Sequence, residues 1–188
     1  RITFVDTGLN SNIGERLMAV RPHLAGEEMF LANYADGLTD LQLPEQIEQF
    51  GRMNKVASFL AVRPNLSYHF LTADREGVVE SFRDIVQAEL RVNGGFFVFR
   101  QEIFDYMRQG EDLVGSPFQR LIEARQLMAH NYDGFWLPMD TAKDKKRLDE
   151  LHDGGAAPWF VWKDQVPRPG ISVPGLPVQG RKPEAATG

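Results

Sequence analysis

The sequence contains no cysteine. That absence excludes a disulfide framework, a thiolate metal site and a cysteine nucleophile. Apolar runs near the 18 or so residues that a membrane-spanning helix requires are missing too. So is any excess of positive charge: 21 Lys and Arg stand against 26 Asp and Glu, a net charge of −5. Proteins that bind nucleic acid present a basic face to the phosphate backbone, so this balance argues against such a partner. Small anionic substrates need only a local cluster of positive charge and stay open. Together these absences predict a soluble, cytoplasmic chain with neither nucleic acid nor membrane as a partner.

What is present is ordinary globular material, 43% hydrophobic and 25% charged over 188 residues, enough for one sizeable domain with a real core. Residues 1–165 read as that domain. Residues 166–188 are rich in proline and glycine and have almost no apolar periodicity, which predicts an extended or disordered tail.

Arg1-Ile2-Thr3-Phe4-Val5 reads as a strand entered in the middle of a fold, and with arginine at position 1 a further segment is expected upstream. Ile13, Leu17 and Val20 recur near helical spacing behind Asn10-Ser11-Asn12, whose side chains can cap a helix start. This predicts a short helix carrying Arg16. Residues 28–33 form an apolar run ending at Tyr34-Ala35-Asp36-Gly37, which reads as a buried strand and a turn, with Asp36 at the strand's carboxyl end. Pro44 suits the first turn of a helix with Ile47 and Phe50 on one face, before a strand over 56–62. Strand, helix, strand is the signature of an α/β domain. Residues 68–71, 78–82 and 95–99 read as further strands. Two helical patterns lie between Gln101 and Gln126, the second opened by Ser116-Pro117. Residues 127–133 alternate like a strand, and 134–140 lead to Thr141, an N-cap for a charged helix over 142–152 that stops at Gly154-Gly155.

His23, His69, His130 and His152 show neither metal-ligand nor triad spacing and read as structural or surface residues. Phe96, Phe97, Phe99 and Phe104 read as core, and Trp136 as a buried aromatic. In isolation Asp36 is a turn residue and Asp140 the neighbour of a helix cap.

Six short stretches change that weighting. They are Val5-Asp6-Thr7-Gly8, Gly14-Glu15-Arg16-Leu17, Tyr34-Ala35-Asp36-Gly37, Asn93-Gly94-Gly95-Phe96-Phe97-Val98, Gly134-Phe135-Trp136-Leu137-Pro138-Met139-Asp140-Thr141 and Ala157-Pro158-Trp159. Taken in this order from Val5 to about Trp162, they resemble the sugar-phosphate nucleotidyltransferase family, and within it the glucose-1-phosphate cytidylyltransferases. The resemblance implies an α/β fold, Rossmann-like and doubly wound around a mixed sheet of the nucleotide-diphospho-sugar transferase type, with the family's first strand and glycine-rich loop upstream of Val5. It implies a Mg²⁺-dependent transfer of CMP from CTP to α-D-glucose 1-phosphate, giving CDP-glucose and pyrophosphate. Asp36 and Asp140 would be the catalytic and metal-binding pair. Arg16 and Ser11 would contact nucleotide, Ala35 would stand beside the substrate, and Asn93, Gly94 and Gly95 would approach the sugar. Family members assemble, so a homo-oligomer is expected, with Trp159, Phe160 and Trp162 as a plausible contact. The chemistry gives a reason for two carboxylates: both reactants are polyanions, and Mg²⁺ takes one or two protein carboxylates while leaving positions for phosphate oxygens and water.

The chain departs from the family pattern in three places. It has no Gly-Gly-x-Gly-Thr-Arg loop with a following lysine. Ser81-Phe82-Arg83-Asp84-Ile85 stands where the family has Glu-Lys-Pro, with Arg83 as the available cation. Ala35 replaces a glycine before the metal aspartate. Two alternatives stay open: a transferase for another nucleotide or hexose 1-phosphate, and a non-catalytic regulatory homologue that binds nucleotide sugar.

Overall fold

Ala57-Ser58-Phe59-Leu60-Ala61-Val62 is apolar on nearly every residue, and the strand it forms, β3 (Ala57–Val62), lies at the centre of the sheet with almost every side chain buried. The structure is a computed structural model and describes residues 1–64, 69–84 and 90–162. Its first strands are β1 (Met29–Asn33) and β2 (Gly37–Thr39), and β3 is followed by β4 (His69–Ala73), β5 (Val79–Asp84), β6 (Val92–Arg100), β7 (Leu127–Tyr132) and β8 (Trp136–Pro138). The helices are α1 (Ile13–Val20), α2 (Leu43–Met53), α3 (Ser116–Glu123) and α4 (Ala142–Asp153). The central sheet runs β1-β6-β3-β7; β3 and β7 are parallel and the other pairs antiparallel. This is the mixed α/β sheet expected from sequence. Strands β2 and β8 form a separate two-stranded ladder, and β4 and β5 a hairpin.

Alternation along β3 and β6 sends side chains to both faces of the sheet. On one face Ala57, Phe97 and Phe99 meet Phe30 of β1, Leu17 of α1, Phe118 and Leu121 of α3, and Ile103 and Phe104 from a 3-10 turn, Gln101–Tyr106. On the other, Leu60 and Val62 join Leu41, with Phe96, Tyr132 and Trp136 packed around them. Helix α2 covers this second face. Gln46 Nε2 donates to Phe96 O at 3.3 Å, and the Arg100 guanidinium lies 5.5 Å from the centre of the Phe50 ring. Each phenylalanine buried in this way contributes about 2 kcal/mol by transfer from water.

The helix starts follow from side-chain chemistry. Glu15 N donates to Asn12 Oδ1 and Asn12 N to Glu15 Oε2, both at 2.9 Å, so Asn12 is the cap of α1. Thr141 and Asp144 make the same reciprocal box at α4.

Four expectations need correction. Residues 1–5 form no strand, and Ile2 and Phe4 are exposed; a strand needs a laddered neighbour, and no described strand pairs with them. The run over 28–33 is not a buried strand: among the described residues β1 pairs with β6 along one side only, Phe30 alone of its residues is buried, and Met29 and Leu31 face outward. The first helical pattern after Gln101 is six residues of 3-10 helix. The strand expected over 95–99 begins at Val92. Tyr68, Ile85 and the tail at 166–188 lie outside the described residues. Among the described residues no helix is long and apolar enough to cross a membrane.

Candidate active site

Four strand ends meet at one edge of the sheet. The carboxyl ends of β1, β3 and β7 lie there beside the amino end of the antiparallel β6, and in open α/β sheets that edge is where ligands bind. From the end of β1 the chain turns through Tyr34-Ala35-Asp36 into β2, which pairs with β8 through Gly37 with Pro138, Leu38 with Leu137 and Thr39 with Trp136. One bond continues the contact past the ladder: Met139 N donates to Asp36 O at 2.8 Å. The ladder therefore brings the two distant turns together, and Asp36 and Asp140 line the same cavity. Both are exposed.

The cavity has a volume of about 1030 Å³ and is walled by Arg16 and Leu17 of α1, Tyr34, Ala35, Asn93, Trp136, Pro138 and Met139. That is room for a ligand of nucleotide size. Arg16 is the one cationic side chain lining it among the described residues. The Arg16 guanidinium also holds the preceding loop: Nε donates to Ser11 O at 2.9 Å, Nη1 to Thr7 Oγ1 at 3.4 Å and Nη2 to Leu9 O at 3.5 Å. Ser11 itself turns its hydroxyl to Thr7 O and does not line the cavity. Asn12, not Ser11, performs the capping.

Asn93-Gly94-Gly95 forms a bulge within β6. Between the pairs Phe59 with Phe97 and Ala61 with Asn93, β6 spends more residues than β3. Gly95 sits there at φ +76°, and an added Cβ would come within 2.6 Å of the Tyr34 ring, so only glycine fits. Asn93 Oδ1 accepts from Gly95 N at 2.9 Å, fixing the bulge. Gly94 O accepts from Trp136 Nε1 at 2.8 Å. Gly94 and Gly95 thus shape the wall from behind, and Asn93 is the member of the trio that lines the cavity.

Tyr34, read from sequence only as part of the Tyr34-Ala35-Asp36-Gly37 stretch, lines the cavity itself. Its amide donates to Gly95 O at 2.8 Å, its ring meets Phe97 edge to face, and Asn93 Nδ2 approaches its hydroxyl at 3.5 Å. Burial, above all, raises the phenol's pKa above the usual tyrosine value, with Asp112 and Asp36 adding to the effect. Asp40 went unnoticed: its carboxylate accepts from Tyr132 in β7 and from the chain leading into β8. No local pattern could have revealed a contact between such distant positions. Arg83 lies on β5 opposite Phe70, on the β4–β5 hairpin, and does not line the cavity.

Two carboxylates with no histidine beside them are a hard-oxygen donor set, which suits Mg²⁺. Among the described residues no third His, Asp or Glu converges with them into a cage. The arrangement fits an ion that draws its remaining ligands from water and phosphate. Asp140 also directly precedes Thr141, the cap of α4, where the helix dipole favours negative charge.

No protein-family model matches the chain. It is 35% identical over 164 residues to a glucose-1-phosphate cytidylyltransferase of Salmonella typhimurium, covering 86% of this chain and 63% of that protein, so it spans less than two thirds of that relative's length. Among solved structures it is similar to a Bacillus anthracis protein in complex with sucrose, assigned as a glucose-1-phosphate thymidylyltransferase, with a TM-score of 0.56 and 11% identity over 80% of this chain and 63% of that one. It is also similar to HddC from Yersinia pseudotuberculosis, with a TM-score of 0.51 and 14% identity over 76% of this chain and 64% of that one. These two likenesses are likenesses of fold.

Proposed function

We propose that this chain belongs to the sugar-phosphate nucleotidyltransferase family, with the glucose-1-phosphate cytidylyltransferases it is similar to, and that it moves CMP from CTP to α-D-glucose 1-phosphate, in the cytoplasm and as a homo-oligomer. A phosphate oxygen of the sugar phosphate attacks the α-phosphorus of CTP. The bond from that phosphorus to the oxygen bridging to the β-phosphate breaks, and pyrophosphate leaves with the electron pair. No general base is required, because a phosphate monoester with a second pKa of about 6 is already ionised.

The chain's own groups supply position and charge. Asp36 and Asp140 would hold Mg²⁺, which when bound neutralises charge on the phosphates. Arg16 offers a guanidinium to phosphate or to the cytosine edge from the α1 wall. Asn93 offers an amide to sugar hydroxyls, and Tyr34 and Trp136 give the cavity apolar walls. The convergence of Asp36 and Asp140 on one cavity is the observation that carries this reading.

In the full-length protein, Asp36→Asn and Asp140→Asn should each lower pyrophosphate release from CTP and glucose 1-phosphate by about 100-fold or more, as removal of a transition-state charge stabiliser does, with the fold intact by circular dichroism. Wild-type turnover in both variants would overturn the reading. Competition by UTP or dTTP, and by other hexose 1-phosphates, decides the substrates. The position of Arg83 on the hairpin, away from the cavity lining, favours a second reading, a regulatory nucleotide-sugar-binding protein. Mg²⁺-dependent CTP binding without pyrophosphate release from any sugar phosphate would establish it.

A further inference from the structure

The β2–β8 ladder is three residue pairs long, too short to hold its register alone. Asp36 and Asp140 stand at one end of it. At the other end is a cluster of polar contacts that the proposed chemistry does not use. Thr39 Oγ1 donates to Phe135 O at 2.8 Å, and Asp40 N donates to the same oxygen at 3.3 Å. Asp40 Oδ1 accepts from Phe135 N at 2.8 Å and from the Tyr132 hydroxyl at 2.5 Å.

Tyr132 is the last residue of β7, and its ring packs into the cluster built on Leu41, Leu60 and Val62. One carboxylate oxygen therefore ties three things together: β2, the segment entering β8, and the central sheet. The loop is shaped for this. A Cβ at Gly134 would fall 2.3 Å from the Tyr132 hydroxyl oxygen, so a side chain there would obstruct the phenol. Burial first, and the bonded carboxylate next, raise the phenol's pKa well above the ordinary tyrosine value, so it remains a donor throughout the neutral range.

We propose that Asp40 and Tyr132 are positioning residues, a clasp that locks β8 against β2 and thereby sets the separation at which Asp36 and Asp140 meet a divalent cation. The proposal rests on the metal reading of those two aspartates. Partners that orient metal ligands change affinity by about 10- to 100-fold when removed, and this clasp acts one step further back, on the backbone that carries the ligands.

The test is Mn²⁺ binding to the full-length protein in the presence of CTP, followed by electron paramagnetic resonance, with hydrogen exchange of the central sheet measured alongside. Asp40→Ala should weaken Mn²⁺ binding by about tenfold or more while β3 and β6 stay protected. Asp40→Asn keeps an oxygen to accept both bonds and should restore affinity to within about threefold of wild type. Tyr132→Phe should fall between the two and decides the matter if Asp40→Ala does not fold. Wild-type affinity in Asp40→Ala, or in Tyr132→Phe, overturns the clasp, as does an Asp40→Asn variant no better than alanine. Asp36→Asn and Asp140→Asn separate this from failure of the underlying reading. If they lose Mn²⁺ while Asp40→Ala keeps it, the clasp alone is wrong; if they keep it, the metal reading falls and the clasp with it.

Discussion

In the central sheet, β3 and β6 bury Ala57, Leu60, Phe97 and Phe99, and each has a strand on both sides; β2 and β8 pair over three residues and carry Asp36 and Asp140, both exposed, just beyond their ends. The first region is held by area removed from water, which is non-directional and tolerant of detail. The second also buries Leu137 and packs Trp136 on the sheet, but its register is set by a handful of directed hydrogen bonds. The difference separates two kinds of consequence. Damage to the sheet should cost stability and leave the metal affinity of the folded molecules intact. Damage to the ladder should shift affinity and turnover with little change in stability.

Phe99→Ala should show the largest effect on stability. The side chain is fully buried and packs 5.6 Å from the Phe30 ring and 5.3 Å from the Phe97 ring. Its truncation should cost about 4 kcal/mol and lower Tm by about 10 °C, read by calorimetry, with Mn²⁺ affinity of the folded protein within about twofold of wild type. A matching loss of affinity would break the division between the regions. Gly95→Ala lies on the boundary. The positive φ and the Tyr34 ring should together cost about 2 kcal/mol, and because Tyr34 lines the cavity, substrate affinity should fall as well; stability loss alone would place the bulge wholly with the sheet. Thr141→Ala removes the oxygen that accepts from Asp144 N at 3.2 Å and should cost about 1 kcal/mol in urea denaturation, with serine restoring it. A smaller effect still is expected in acid. The bond from Arg120 holds the Glu111 carboxyl below its ordinary value. A depressed carboxyl stabilises the fold above its unfolded pKa, near about 4.3, and that contribution is lost as pH falls through the folded pKa. Arg120→Gln should therefore flatten the acid limb of a stability-against-pH curve below about pH 4 without touching Mn²⁺ binding. An unchanged acid limb would show that this ion pair adds nothing to the sheet's packing.

The contrast between the regions is also a contrast in what the sequence discloses. The apolar run of β3, the caps at Asn12 and Thr141 and the proline starts of α2 and α3 are local signals, and they stand in the structure. Residues 1–5 misled because apolar alternation says nothing about whether a neighbouring strand is there to pair with. The start of β6 at Val92 went unread because Asn93-Gly94-Gly95 forms a bulge, and a bulge calls for the same residues as a turn. Strand reading placed Asp36 at a strand's carboxyl end and the resemblance paired it with Asp140, but the agent that brings them together is β2 pairing with β8, two three-residue strands too short to register as periodicity. Asp40, Tyr132 and the Trp136 bond to Gly94 join residues far apart in sequence, so composition and spacing are silent about them.

The coupling of Asp36 and Asp140 is measured most directly by a double-substitution cycle on kcat/KM for pyrophosphate release, with Asp36→Asn, Asp140→Asn and the double variant in the full-length protein. If the two carboxylates hold one ion, the first substitution already removes what the second would, and the double variant should lie within about threefold of the worse single variant. Losses that multiply in the double variant would contradict a shared ion and assign the two aspartates separate roles.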